Sequence, residues 1–242
     1  MRELSLRELN RTTLRRQLLL ERSELSISRA VERLIGLQAQ NARPPYVGLW
    51  TRLRRFERDD LARAIERREI VKATFIRATL HLLTTDDYRR FRGTLQTWSY
   101  LADLQPAFEK LTLTRYRDSR GRELFDLPGL DVEPEDTQAP VRFLPEFDNL
   151  LLAHQERTRF VPEQHRKRVF LPGLRIAATV LIDGFVAGTW TTSRANRDAT
   201  LEISPLEQLT QGTRSELIGE GERLLRFVEP DATSFSVRIN GR

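Results

Sequence analysis

Residues 69–84 read EIVKATFIRATLHLLT, and the fold turns on this stretch. Val71, Ala73 and Phe75 alternate with Lys72 and Thr74, the period-two pattern of a half-buried strand, before the chain returns through RATLHLL. Upstream the period is helical. Ser26 or Ser28 can cap a helix whose Ile27, Val31, Leu34 and Ile35 share a face, and Gly36 suits the left-handed residue that ends it. Pro45 fits the first turn of a second helix bearing Tyr46, Leu49, Trp50, Leu53 and Phe56, and Asp59 caps a third carrying Leu61, Ala64 and Ile65. Three helices followed by a two-stranded ribbon outline a winged helix, a module that sets a helix in a DNA groove with the ribbon as a flanking contact.

Beyond the ribbon, Thr84 or Thr85 followed by two aspartates restarts a helix at DDYRRFRGTL. Residues 106–126 read as a short helix and a hairpin turning at DSRG, and LPGLDVEPEDTQAP is a linker rich in proline and acid. Then LRIAATVLIDGFVAGTWTTS forms a hairpin turning at Asp183-Gly184, ATLEIS a further strand, residues 213–228 a long helix and SFSVRI a last strand. The expected class is α+β. A winged-helix module spans residues 1–100, a helix, hairpin and linker span 101–140, and a β-rich α+β domain spans 141–242.

With 242 residues, 39% of them apolar, the chain can bury a core. It has no cysteine, which excludes disulfides, thiolate metal sites and cysteine nucleophiles and fits a reducing compartment. The amino terminus holds no apolar run of signal or membrane length, so a cytoplasmic, nucleoid-associated protein without a membrane partner is expected. The net charge of +6 is uneven: residues 1–100 carry 21 basic and 12 acidic side chains, and the remainder is slightly acidic. Only Lys72, Lys110 and Lys167 among the basic residues are lysines, and arginine's planar fork suits phosphate oxygens and base edges. Arginine excess also follows GC-rich coding sequence, so charge alone leaves a nucleic-acid partner open.

The chemistry-bearing motifs are few. His81, His154 and His165 are scattered without a carboxylate at ligand spacing, so no metal is expected, and each histidine reads as structural. There is no glycine-rich phosphate loop, no G-x-S-x-G elbow and no sign of a cofactor. HRKRV at 165–169 reads as a surface turn before it reads as a phosphate clamp. What remains is LQAQ at 37–40. Gln38 and Gln40 either tidy a helix end or, if the chain runs extended after Gly36, present both amides on one face with Leu37 and Ala39 turned to the core.

Four segments in order, LNRTTLRRQLLLERSELSISRAVERLIGLQAQNARPPYVGLWTRL, IRATLHLLTTDDYRRFR, RFLPEFDNLLLAH and LIDGFVAGTW, resemble the winged-helix DNA glycosylases of the AlkZ/YcaQ type. In that bacterial family a Gln-x-Gln or Gln-x-Asp motif lies in the active site, matched here by Gln38-Ala39-Gln40. The resemblance implies tandem winged helices with a β-rich carboxy-terminal domain and removal of N-alkylated purines, bulky adducts and crosslinks included. The chain departs from it between FRGTLQTWSYLADL and LTLTRYRDSRGRELFDL, where the family's second winged helix and much of its third are missing.

The implied chemistry suits two uncharged amides. An N7-alkylated guanine is already cationic and leaves as a neutral base without protonation, so the site need only aim water at C1′. An amide can accept from that water through oxygen and donate through nitrogen, but it forgoes the roughly 10²–10⁴-fold that a general base supplies. Gln38 and Gln40 are the expected catalytic residues, and Arg43, Arg77 and His81 the candidate DNA-phosphate or lesion-edge contacts. Trp50 and Phe75 read as core. The expected partner is alkylated double-stranded DNA, with a monomer as the default state. A non-catalytic winged-helix regulator or lesion sensor is the rival reading, and a purely structural module is a third.

Overall fold

The computed structural model describes residues 1–97, 109–154 and 156–241; the short helix expected from residue 106 begins outside the described residues. The chain opens with strand β1 (Arg2–Leu4) and helix α1 (Leu6–Arg16), where Ser5 and Glu8 form a reciprocal capping box. The winged helix follows as α2 (Ile27–Arg33), β2 (Leu37–Gln38), α3 (Pro44–Arg52), α4 (Arg58–Glu66), β3 (Ile70–Thr74) and β4 (Leu80–Thr84), with α5 (Thr85–Thr97) after it. Its sheet runs β2-β4-β3, antiparallel throughout, so the expected ribbon has a third strand along β4. At two residues, β2 is too short to show alternation in sequence.

Local chemistry sets the ends of these helices. The Ser26 hydroxyl accepts from Arg29 N–H at 3.3 Å and caps α2. The cap of α4 is Glu57 rather than Asp59: the Glu57 N–H donates at 2.9 Å to Asp60, three residues on. Ile35, expected on the apolar face of α2, is instead 61% exposed, because the chain leaves the helix through two left-handed residues, Ile35 at φ 55° and Gly36 at φ 86°. A Cβ on Gly36 would lie 2.7 Å from Leu83 and 3.0 Å from the Leu82 carbonyl, so this glycine permits both the turn and the close approach of β2 to β4. Leu37, Ala39, Leu49, Leu61, Ile70 and Leu82 form the module's core.

The rest of the chain is β-rich. Strands β5 (Thr114–Asp118) and β6 (Glu123–Asp126) make the hairpin at DSRG, and β1 adds to it in parallel, so the first residues share a sheet with the middle of the chain. Strand β7 (Arg142–Leu144) is followed by a short ribbon, β8 (Phe170–Leu171) and β9 (Arg175–Ile176), then β10 (Thr179–Ile182), β11 (Phe185–Ala195), β12 (Asp198–Pro205) and β13 (Ser234–Ile239). The main sheet runs β13-β12-β11-β10-β7. The helix Gln211–Val228 links β12 to β13, its Leu217, Leu224 and Leu225 wholly buried against Leu201 and Ile203. Each such side chain contributes about 1.5–3 kcal/mol. Asp183 (φ 48°) and Gly184 (φ 79°) give the two positive φ values of a type I′ turn between β10 and β11, as the sequence implied.

The module and the β-rich part share buried surface. Phe227 stacks on Trp50 at 5.9 Å and meets Phe56 at 5.8 Å, while Val47 of α3 joins the core of the main sheet. Trp50 and Phe75 are therefore packing residues: Phe75 is 6% exposed, and Arg22 lies 4.5 Å over the Trp50 ring. Helix α1 docks on the β10–β11 turn, where buried Arg11 bonds the carbonyls of Thr137 and Asp183 and pairs with the Asp183 carboxylate.

Candidate active site

The glutamine pair lies on the edge strand of the winged-helix sheet. Gln38 stands opposite His81 on β4, and His81 stands opposite Ala73 on β3, so the three side chains share a face. The chain stays extended past Gln38, with Ala39 N–H donating to the Leu80 carbonyl at 2.7 Å. Leu37 and Ala39 are 4% and 2% exposed and face the core, as the extended reading requires. The two glutamines differ. Gln38 is 9% exposed, and among the described residues its amide has no hydrogen-bond partner. Gln40 is exposed, and its Oε1 accepts from Leu80 N–H at 3.2 Å. Its amide nitrogen, a donor, is what it has left to offer.

His81 is buried, donates Nδ1–H to the Thr79 carbonyl at 2.9 Å and packs edge-on against Phe75 at 6.0 Å. Because a carbonyl only accepts, this bond fixes the tautomer with the proton on Nδ1. His81 is thus placed beside Gln38 in the sheet. The Arg43 guanidinium bonds Thr192 Oγ1 at 3.0 Å and Glu229 at 3.2 Å, so its charge is balanced within the protein. Arg77 belongs to a 3₁₀ turn, Ile76–Ala78, between β3 and β4, and its side chain lies outside the described residues.

Other cations stand clear of any carboxylate. Arg55, Arg67, Arg68, Lys72 and Arg89 are exposed and, among the described residues, form no ion pair. Arg55 and Arg67, with Arg54 and Arg63, line an open cleft of about 440 Å³ between the start of α2 and helix α4. Of these only Lys72 falls in the stretch that decided the fold, and only position on the folded module separates the others from paired arginines. Short runs such as ERR and LRR carry no such signal.

Sequence reasoning took Pro145–Asn149 only as part of the resembling segment RFLPEFDNLLLAH and gave it no role at the site. It belongs to the β-rich part yet lies along β2: Asn149 Nδ2 donates to the Gly36 and Leu34 carbonyls, at 2.6 and 3.1 Å, and Glu146 accepts from Asn41 Nδ2 at 3.4 Å. Asp148 is gripped by both arms of Arg52 at 2.8 Å, with neither side chain more than 1% exposed. The available signal is a polar run, PEFDN, between the apolar runs RFL and LLL. Among the described residues no group of His, Asp or Glu is arranged to hold a metal ion, and no helix is long and apolar enough to cross a membrane.

The model of the AlkZ-like DNA glycosylase family matches residues 31–99 and 92–227. The chain belongs to that family. None of the curated proteins compared with this AlkZ-like chain matches it. Among solved structures, the DNA glycosylase AlkZ of Streptomyces sahachiroi superposes with a TM-score of 0.76 over 99% of this chain and 100% of that one, at 16% identity. That likeness speaks for the fold, a winged-helix-containing α+β architecture. Family membership adds a DNA-binding, DNA glycosylase role for the AlkZ-like chain.

Proposed function

We propose that the protein is a monofunctional glycosylase that hydrolyses the N-glycosidic bond of cationic N7-alkylated purines in duplex DNA, with Gln38 and Gln40 as its catalytic residues. The observation that carries this reading is Gln38, a nearly buried amide on the family motif with no partner among the described residues. Its amide atoms are unpartnered yet not sealed from solvent, so they are free to bond water or substrate. Gln38 accepts a hydrogen bond from the attacking water. Gln40, its oxygen engaged by Leu80, donates through nitrogen to the water or the sugar. The water oxygen bonds to C1′ as the C1′–N9 bond breaks, the released electron pair neutralises the cationic ring, and the spare water proton passes to solvent. His81 holds its place beside Gln38, and Arg77 is the motif-proximal candidate for phosphate contact, whereas Arg43 is engaged by Thr192 and Glu229.

The engaged Gln40 oxygen is the one observation that favours the rival, a DNA-binding protein without turnover. A single gel separates the two. Duplex containing N7-methylguanine is incubated with the protein, and abasic sites are cleaved with alkali. The glycosylase reading expects product from the wild type and a loss on the order of 10²-fold in Gln38→Ala. The rival expects salt-dependent binding that survives Gln38→Ala and Gln40→Ala, with no product at all.

A further inference from the structure

The fastening of Pro145–Asn149 to the turn before β2, to Asn41 after it and to Arg52 of α3 has a result that the glutamine pair does not use. Phe147, between the anchors, holds φ at 58°, a conformation that a bulky residue keeps only where its surroundings enforce it. Glu146, exposed and bonded to Asn41, is thereby held at a fixed place on the wall of a cleft of about 390 Å³. The cleft starts at Asn41, the residue after Gln40; its apolar walls include Pro44, Val47, Pro145 and Trp190, and Arg43, whose charge Glu229 balances, also lines it. The indole N–H of Trp190 is spent on the carbonyls of Leu144 and Thr179, so to a ligand this residue presents carbon surface.

Apolar walls suit an aromatic ring, and a carboxylate beside a carboxamide orients it. A carboxylate offers acceptors only, while a carboxamide can also donate. Guanine has the complementary Watson–Crick edge, with N1–H and N2–H donors side by side and O6 next to them. Adenine turns its N1 acceptor toward the same carboxylate and is repelled. We propose that this cleft receives the displaced cationic guanine, Glu146 accepting from N1–H and N2–H and Asn41 Nδ2 donating to O6. The proposal rests on the glycosylase reading above and adds to it the base that the site selects. Positive charge on the alkylated ring strengthens both donors and attracts the carboxylate, so one side chain reads edge and charge together. N7 lies on the Hoogsteen edge, beyond O6 from N1 and N2, so an adduct there points away from Glu146 and lies on the side of Asn41.

The test is single-turnover base release by the full chain from duplexes carrying N7-methylguanine, N7-methylhypoxanthine, which lacks the N2 amino group, or N3-methyladenine. The wild type is expected to prefer N7-methylguanine over either other base by about 10–100-fold, the discrimination of one bidentate contact. Glu146→Gln should lose that preference while melting and binding undamaged duplex as the wild type does. Asn41→Ala should weaken the preference in the same direction, which guards against a Glu146 variant that fails to fold. A wild type that releases N3-methyladenine as fast as N7-methylguanine overturns the proposal, as does a Glu146→Gln that keeps rate and preference. If the wild type releases no base from any duplex, the glycosylase reading fails and takes this with it; an active wild type with an indifferent Glu146→Gln fails this proposal alone.

Discussion

Arginines on the seam between the winged helix and the β-rich part do the opposite of arginines on the module's outer face. On the seam, Arg52 grips Asp148 and the carbonyls of Gly48 and Gln17, and Arg142 donates to the carbonyls of Leu19, Val141 and Leu20. Burial, with the Arg22 charge acting the same way, pushes Arg142 down to about 10. On the outer face Arg55, Arg67, Arg68 and Arg89 are exposed and unpaired among the described residues. A count of arginines therefore does not locate a DNA surface. What separates candidate contacts from structural arginines is whether each guanidinium is already satisfied by the protein.

The sharpest way to break this contrast is Asp148→Ala, which leaves Arg52 charged, buried and uncompensated. It should cost about 3–5 kcal/mol in denaturant unfolding, and pairing it with Arg52→Met should recover much of the loss. A cost below about 1 kcal/mol, the range of exposed pairs, would erase the distinction between seam and surface.

A second effect of burial on the β-rich side is set by pH. Burial, with the Arg159 charge adding to it, lowers His154 from 6.5 to about 4. Between those values the unfolded chain takes up a proton that the folded chain refuses, so stability falls as pH drops through that window and levels off below it. The loss should be about 2–3 kcal/mol in denaturant midpoints and should shrink in His154→Phe. Below it Glu156, held at about 2 chiefly by the Thr158 hydroxyl and Arg122, gives up its own contribution as it protonates.

On the outer face the readout is DNA affinity. Arg67→Ser with Arg68→Ser should weaken duplex binding for all sequences alike and flatten the salt dependence by about one unit of slope per lost phosphate contact. Arg43→Ser, whose charge Glu229 already balances, should change the slope less. Equal slopes would place Arg43 among the DNA contacts after all. The smallest effect is expected at Arg29, whose pair with Glu32 is exposed on both sides: Arg29→Ala should leave the denaturant midpoint where it is in the wild type.

Legibility from sequence followed the range of the physics. The helices of the module, the I′ turn at Asp183-Gly184 and the strand SFSVRI depend on caps, periodicity and turn residues within a few positions, and all are in place. Strand β2 was invisible because its register is dictated by β4, more than forty residues away, and β1 because its partner is β5. The same limit applies at the site. Gly36 allowed the extended run through Leu37 and Ala39 as one of two readings, whereas the unequal partnering of the two amides needed Leu80, and the role of Pro145–Asn149 needed the seam. Charge showed that the module is basic; only the fold shows which arginines are spoken for.

The most direct measurement is the ratio of single-turnover excision rates for N7-methylguanine and uracil at the same position of one duplex. If a cationic lesion brings its own leaving-group activation and the Gln38–Gln40 pair only steers water, the alkylated base is released and uracil is not. Release of uracil at a comparable rate would contradict the account, because it demands a proton donor that two carboxamides do not provide.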